Sequence, residues 1–216
     1  MSIFRANTLE ALNDFSKRPD KLAIIARSVP SGGDSFFQKP SPFAVAGKVY
    51  KHSALTDIGE ILRDEISEEI RSNPFYEQWL GDMAEICKIF CDIENSDAIC
   101  FWLGSERGCR RYHTDNVPQR LLVTYVGQGT QWLPDEAADR VAFVNGAPNE
   151  KIVKDESALQ YIDPWDVAVF RGGLDGLLHR TPDAALDGSS ILMRLDHPDF
   201  WDNVLEPYQQ ARYSQS

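Results

Sequence analysis

The sequence is short of positive charge: 22 lysines and arginines stand against 33 aspartates and glutamates, which gives a net charge of −11. Nucleic acids and anionic membranes attract basic patches, so neither is expected to be the main partner. The chain does not lack hydrophobic residues, which make up 43% of it, or aromatic residues, which make up 11%. This composition excludes an intrinsically disordered protein and allows a folded core.

Long hydrophobic runs are also missing. No segment has the roughly 20 consecutive apolar residues that cross a bilayer as a helix. Residues 1–20 lack the apolar stretch of an export signal and carry Glu10, Asp14 and Asp20 instead. We therefore expect a cytoplasmic protein that does not bind membranes.

Cysteine is scarce, with four residues in a chain of 216. In the absence of an export signal, we expect Cys87, Cys91, Cys100 and Cys109 to be reduced thiols rather than disulfide partners. Cys87 and Cys91 lie four residues apart on a predicted helix, but no second paired motif follows them. We interpret both as structural residues.

Helix and strand patterns occupy different parts of the chain. Apolar residues at helical spacing predict one helix from about Thr56 to Arg71 and a second from Phe75 to about Phe90. The segment Lys21–Arg27 is predicted to form a short buried strand. Further short β-prone segments, separated by turn residues, follow from residue 97. They span residues 98–103, 120–126, 130–133, 166–170, 177–180 and 191–195.

Many short strands after a helical start predict an α+β, mainly β fold, an antiparallel jelly-roll or cupin-like barrel with the helices packed on one side. We predict a single domain over residues 1–216. Residues 1–96 would form an N-terminal extension with the supporting helices, residues 97–200 the β-barrel core, and residues 201–216 a C-terminal tail. The polar segment 135–160 is expected to be an excursion over the barrel mouth.

A His-x-Asp motif at His113 and Asp115 carries the strongest chemical signal. Side chains two residues apart on a strand point to the same face, so this imidazole and carboxylate can bind one metal ion from the same side. His179, on a later predicted strand, would complete a triad of two histidines and one carboxylate. Such a triad leaves three adjacent coordination positions open and favours non-heme Fe(II).

The predicted strand Ile191–Leu195 places Arg194 on the face opposite Met193. An arginine inside a barrel is costly unless it meets an anion, and a guanidinium binds a carboxylate through two parallel hydrogen bonds. We therefore expect Arg194 to hold the carboxylate of a co-substrate whose other end chelates the metal.

A second His-x-Asp motif, His197-Pro-Asp199, is interpreted as a helix cap, because its proline is poor strand material. The first motif also has a structural interpretation. His113 and Asp115 would then form a hydrogen-bonded pair, and His179 would be a core histidine whose hydrogen bonds are satisfied.

The order of these motifs resembles the double-stranded β-helix of Fe(II)/2-oxoglutarate dioxygenases. Residues 98–196 resemble, more closely, an uncharacterised bacterial family of domains of unknown function, whose members tend to be grouped with zinc-homeostasis genes. The resemblances are carried by His113-x-Asp115, Arg111–Pro118, Arg120–Tyr125, His179–Pro182 and Arg194.

The dioxygenase resemblance implies a role for each part of the site. The triad would ligate Fe(II), and Arg194 would pair with the far carboxylate of 2-oxoglutarate. Tyr125 or Thr124 would hydrogen-bond the co-substrate. The resemblance implies hydroxylation of a small molecule or of a protein side chain.

Three further residues near these motifs have open roles. Arg120 and Arg180 are expected to pair with carboxylates at the barrel edge. Cys109 precedes His113 by four residues, and a thiolate there would favour Zn(II) over Fe(II). Two competing hypotheses follow: a non-catalytic protein that holds zinc or another divalent metal, and a cupin-type isomerase or hydrolase that uses the same triad.

Overall fold

The structure is a computed structural model that describes residues 3–37 and 42–200. The predicted C-terminal tail, residues 201–216, lies outside the described residues. Across the described ranges, none of the helices has the length and apolar character needed to span a bilayer.

The fold is mixed α+β and is built on a large, mostly antiparallel sheet. Its seven strands lie in the order β1-β2-β8-β5-β10-β4-β3, and a smaller sheet has the order β7-β6-β9. Only the short β1–β2 pair is parallel among these ladders. The strands are β1 Phe4–Arg5, β2 Leu22–Ile25, β3 Ala44–Tyr50, β4 Ala98–Gly104, β5 Gln119–Val126, β6 Gln131–Leu133, β7 Gln160–Tyr161, β8 Val167–Arg171, β9 Leu178–Arg180 and β10 Ile191–Asp196.

Two strands of the large sheet come from the predicted N-terminal extension. Strand β2 pairs with β8, as a buried strand within Lys21–Arg27 would, and β3 pairs with β4 at the sheet edge. The sheet is therefore not confined to residues 97–200. Strand β3 gave little sequence signal, because only Val45 and Val49 are buried along it.

The helices lie mainly before β4. They are α1 Gly33–Phe36, α2 Ala54–Leu62, α3 Glu68–Arg71, α4 Pro74–Glu94, α5 Arg140–Val144, α6 Asn149–Ile152 and α7 Asp183–Asp187, and a 3₁₀ helix covers Glu10–Lys17. Helix α4 begins with Pro74 at its first position, and the side chain of Asn73 accepts a hydrogen bond from the Phe75 amide. The helix ends at Glu94, four residues beyond the predicted end near Phe90, and Asn95 caps it in the left-handed conformation.

The single helix predicted from about Thr56 to Arg71 is wrong. The chain forms α2 and α3, separated by an irregular segment. Ser67 adopts an extended backbone, and its hydroxyl caps the Ile70 amide at the start of α3. A serine that caps a new helix interrupts the preceding one, although the apolar spacing continues through it.

The large sheet has one face toward the helices and one toward the small sheet. Phe101, Val123 and Met193 pack with α4 in the main hydrophobic cluster. Leu122 and Phe170, on the opposite face, pack with Trp132 of the small sheet and related residues. Because side chains alternate along each strand, even-numbered residues of β5 and β10 face the small sheet. The candidate site lies on this second side.

The 135–160 segment docks against the segment that carries His113. The backbone amide of Tyr112 donates to Asn149 Oδ1 at 2.9 Å, and Arg111 donates to the Ala147 carbonyl at 2.9 Å. Tyr112 is buried in a small cluster with Leu133 and residues of this segment. No described residue of 135–160 lines the cavity beside the triad, so the excursion contacts the segment that carries His113 without forming the cavity wall.

Candidate metal centre

His113 and His179 are brought together by their own backbones. The amide of each donates to the carbonyl of the other at 3.0 Å, as an isolated antiparallel bridge between His113, outside the regular strands, and His179 of β9. The imidazole rings lie with their centroids 4.4 Å apart. The His-x-Asp motif therefore lies in an irregular segment before β5, although its side chains still converge as a strand would have placed them.

Asp115 is fixed by the glycine turn that follows β8. Its carbonyl accepts a hydrogen bond from the Gly173 amide at 2.7 Å. A Cβ at Gly172 would lie 2.0 Å from the carbonyl oxygen of Val117 and 2.4 Å from that of Asp115. Only glycine allows this close approach of the two backbones, so the turn sets where the Asp115 side chain begins.

The three side chains form one cluster whose potential ligand atoms all lie within 4.8 Å of one another. Oδ2 of Asp115 is 3.5 Å from Nε2 of His179, and Oδ1 is 3.9 Å from Nε2 of His113. Asp115 and His179 are buried, whereas His113 is partly exposed. The sequence prediction of this triad agrees with the observed grouping, but metal binding by these residues stays a prediction.

Both imidazoles point Nε2 into the cluster. Nδ1 of His113 lies 3.0 Å from the Arg111 carbonyl, and Nδ1 of His179 lies 3.0 Å from the Leu177 carbonyl. A carbonyl only accepts hydrogen bonds, so Nδ1 must carry the proton in each case. A neutral ring then has its lone pair at Nε2, which is the arrangement that second-shell carbonyls impose on metal-binding histidines.

The Oδ2 atom of Asp115 is buried and has no hydrogen-bond partner among the described residues. Its neighbour, Nε2 of His179, carries a lone pair rather than a proton. Two buried acceptors that face each other at 3.5 Å repel unless a cation lies between them. The donor set of two imidazoles and one carboxylate suits a divalent transition metal.

A proton on His179 Nε2 would also relieve the repulsion from Asp115 Oδ2, but the ring of His179 does not hold one near pH 7. Burial lowers the pKa of His179 from 6.5 to about 4, and the opposing attraction of Asp115 is the smaller effect. The ring is therefore neutral near pH 7 and available as a ligand without displacing a proton.

The same shift predicts how stability depends on pH in metal-free protein. His179 in the unfolded chain takes up a proton below about pH 6.5, while in the fold it stays neutral down to about pH 4. The stability that comes from keeping His179 neutral is therefore intact above pH 6.5 and is lost as the pH falls from there toward 4. We expect a loss of about 2 kcal/mol between pH 7 and pH 5, measured by urea unfolding.

The matched variant for that measurement is His179→Asn, which keeps a buried polar side chain that does not titrate. Its unfolding free energy should fall by clearly less than that of the parent between the two pH values. An equal fall in both proteins would show that His179 is not the group responsible.

Asp115 is also the end of a buried chain of charges. Its Oδ1 accepts a hydrogen bond from Arg120 Nη1, and Arg120 Nε donates to Asp196 Oδ1 at 2.7 Å. The other oxygen of Asp196 is 3.0 Å from Nε of Arg194. Arg120 thus occupies one oxygen of Asp115 and leaves the other directed at the histidines, so it positions the carboxylate.

The triad opens onto a cavity of about 290 Å³. This volume is at the lower end of the range for small-molecule sites. The wall combines apolar, hydroxyl and arginine side chains. Its residues are Trp102, Glu106, Arg107, Gly108, Cys109, His113, Asp115, Arg120, Leu122, Thr130, His179, Arg180, Thr181, Leu192 and Arg194.

The structure does not bring all predicted co-substrate residues to this cavity. Arg194 lines it, and Thr124 lies on the same face of β5 as Leu122 but is not among the lining residues. Tyr125 faces the helices instead: its hydroxyl donates to Asp82 Oδ2 at 3.1 Å, and its ring packs against Trp79. A one-residue step along a strand reverses the side-chain direction, which the motif order alone did not resolve for Tyr125.

Arg180 and Cys109 also line the cavity. Arg180 pairs with Asp183, as expected of an edge arginine, and it donates to Gln131 as well. Cys109 is exposed, whereas Cys87, Cys91 and Cys100 are buried. Sequence reasoning missed Arg107, because nothing in its local pattern shows that the segment after β4 folds back onto the cavity.

A family profile matches residues 6–196, and the family is described as "Protein of unknown function (DUF1826)". The match confirms a resemblance to a family of unknown function and extends it from residues 98–196 to most of the chain. A link to zinc homeostasis stays a hypothesis. No curated protein matches the sequence.

Several solved structures are similar over most of their length at low identity. AviO1 from Streptomyces viridochromogenes Tue57 is 15% identical, with coverage of 89% of this chain and 97% of that one and a TM-score of 0.39. EvdO2 from Micromonospora carbonacea var. aurantiaca, complexed with 2-oxoglutarate, is 11% identical, with 86% and 90% coverage and a TM-score of 0.39. AtDAO1, a dioxygenase for auxin oxidation from Arabidopsis thaliana, is 10% identical, with 91% and 93% coverage and a TM-score of 0.39. Similarity at this level assigns no activity to this chain.

Proposed function

This chain belongs to the DUF1826 family of proteins of unknown function, and we propose that it is a non-heme Fe(II)-dependent oxygenase that uses 2-oxoglutarate. The proposal includes a barrel of the double-stranded β-helix type, in which the small sheet faces the large one across the cavity. The substrate is a small molecule or a side chain small enough to enter that cavity, and the proposed compartment is the cytoplasm.

One observation carries the proposal: the buried, unpartnered Oδ2 of Asp115 faces the Nε2 lone pair of His179. A structural pair would place a proton between these atoms, but the Leu177 carbonyl holds the only ring proton of neutral His179 at Nδ1. The structural interpretation therefore leaves two buried acceptors in repulsion. Metal ligation by His113, Asp115 and His179 removes this conflict.

The ligand set supports iron rather than a closed zinc site. Structural zinc takes four protein ligands, and among the described histidines, cysteines and carboxylates the cluster contains three. Cys109 lines the same cavity but does not belong to that cluster. Bound Fe(II) would supply activation of dioxygen for oxidation of a substrate bond, at coordination positions that the protein leaves open.

The remaining residues of the site would bind and orient. Arg120 holds one Asp115 oxygen and so directs the other at the metal position. Arg194 is fixed against Asp196 and stacks on the Trp102 ring, with its guanidinium carbon 5.5 Å from the ring centroid. From this position it would attract the far carboxylate of 2-oxoglutarate. The apolar wall, which includes Leu122 and Leu192, would exclude water from the reacting end.

Replacing Arg194 with leucine tests its assigned role. We expect Arg194→Leu to bind Fe(II) with unchanged stoichiometry and to bind 2-oxoglutarate at least about tenfold more weakly, because hydrogen bonds to a charged group contribute about 1.5–3 kcal/mol. Asp196 keeps its bond to Arg120, so the fold should survive. Anaerobic calorimetric titrations with Fe(II) and then with 2-oxoglutarate measure the metal stoichiometry and the co-substrate affinity. Equal 2-oxoglutarate affinity in variant and parent would show that Arg194 does not bind the co-substrate.

A further inference from the structure

The cavity wall has the opposite charge balance to the chain as a whole. Four arginines line it, whereas its acidic lining residues are Glu106 and Asp115. The whole chain carries a net charge of −11. An excess of arginines over carboxylates on the wall favours the entry of an anionic ligand.

Three of the four arginines are matched by carboxylates. Arg120 pairs with Asp115 and Asp196, and Arg194 also pairs with Asp196. Arg180 pairs with Asp183. Each of these three already has a carboxylate partner within the protein, and Arg194 shares its partner Asp196 with Arg120.

Arg107 is different. Its Nη1 donates to the Gln128 carbonyl at 3.1 Å and to Ser190 Oγ at 2.9 Å, both neutral acceptors. Its Nε is buried without a partner in the described part of the chain, where the residue forms no ion pair. Burial lowers the pKa of Arg107 to about 10, which reflects the cost of holding this cation away from water.

The hydrogen bonds that Arg107 donates to Gln128 and Ser190 fix its guanidinium on the wall that it shares with the triad. A fixed, half-buried cation without a carboxylate partner is stabilised by any anion that enters the cavity. Leu122 and Leu192 line the same cavity, are apolar and would contact the uncharged body of such a ligand.

We propose that the substrate carries an acidic group, a carboxylate or a phosphate, which ion-pairs with Arg107 while the rest of the substrate extends toward the triad. This inference rests on the oxygenase function proposed above and names the chemical class of its substrate. Arg107 is then the residue that selects acidic over neutral substrates, and Arg194 remains the partner of the co-substrate.

The first test uses EDTA-treated protein, so that no metal can bind the probe. Benzoate, its neutral isostere benzamide and inorganic phosphate are titrated calorimetrically into the parent, Arg107→Gln and Arg107→Lys. Arg110→Gln is the matched control, since Arg110 lies in the same segment but is exposed and does not line the cavity. Benzoate and phosphate distinguish a carboxylate from a phosphate ligand.

We expect the parent and Arg110→Gln to bind one of the two anions more tightly than benzamide. Arg107→Gln should bind that anion at least about tenfold more weakly, and Arg107→Lys should recover part of the affinity because it restores the charge. Absence of anion binding to the parent, or equal binding by Arg107→Gln, would overturn the proposal.

A second measurement separates substrate from co-substrate. Fe(II) stoichiometry and 2-oxoglutarate affinity should be the same in Arg107→Gln as in the parent, and the unchanged stoichiometry also shows that the variant folds. A loss of 2-oxoglutarate affinity would make Arg107 the co-substrate's partner and overturn its assignment to the substrate. If Arg107-dependent anion binding persists in a protein that takes up no Fe(II), the oxygenase function fails while the anion site stands.

Discussion

Replacing His179 with alanine is expected to abolish Fe(II) binding while the protein remains folded. The variant removes the buried Nε2 ligand that faces Asp115 Oδ2 at 3.5 Å. Removing a direct ligand should weaken Fe(II) binding by more than the roughly 10–100-fold that follows from changing a residue that only supports a ligand. The fold should survive because the pairing with His113 is made by backbone atoms. Metal content by mass spectrometry, together with circular dichroism, measures both results.

His197→Ala is the matched control, because His197 belongs to the other His-x-Asp motif and is more exposed. Its metal content should equal that of the parent. Full metal content in His179→Ala would remove His179 from the site, and loss of metal in His197→Ala would mean that the metal lies at the second motif.

Replacing Arg120 with methionine is expected to destabilise the metal-free protein by about 3–5 kcal/mol. Arg120 is the shared partner of Asp115 and Asp196, which are 4% and 1% exposed. Without it, burial would raise the pKa of Asp196 further, because Arg120 is the charge that most opposes this effect. A raised pKa in the fold means that the folded state binds more protons, which offsets the loss caused by His179, so the variant should lose less stability than the parent as the pH falls from 7 to 5. The parent should lose stability over the same range.

Arg63→Met controls for the loss of an ordinary arginine. Arg63 pairs with Glu60 on the surface, where each side chain is 61% exposed, and such pairs contribute about 0–1 kcal/mol. Urea unfolding of the three proteins at both pH values makes the comparison. A small effect of Arg120→Met, close to that of Arg63→Met, would show that Arg120 does not hold the two buried carboxylates.

The parts of the fold that the sequence predicted were those with strong local patterns. Helix α4 and six of the strands from β4 onward carry apolar or β-prone residues bounded by turn signals, and their positions agree with the structure to within a few residues; these strands are β4, β5, β6, β8, β9 and β10. The break between α2 and α3 was missed because one capping serine, Ser67, outweighs an apolar spacing that continues on both sides of it. The short strand β7 was also missed, since both of its residues are exposed.

The site residues likewise include some that the sequence predicted and some that it did not. The grouping of His113, Asp115 and His179 followed from residue types and strand order, which survive small errors in strand boundaries. The assignment of Tyr125 depended on which face of β5 its side chain occupies, and a motif order does not contain that information. Arg107 could not be found at all, because its place on the cavity wall depends on contacts with Gln128 and Ser190, which are distant in the sequence.

Anaerobic absorption spectroscopy tests the central claim most directly. Metal-free protein is titrated with Fe(II) and then with 2-oxoglutarate, and His179→Ala is treated in parallel. An open triad that binds Fe(II) allows 2-oxoglutarate to chelate the metal through two atoms, which gives a visible metal-to-ligand charge-transfer band. This band should appear in the parent only after 2-oxoglutarate is added. It should not appear in His179→Ala. Stoichiometric Fe(II) binding without such a band would contradict the use of 2-oxoglutarate and leave a different metal-dependent function for the same three residues.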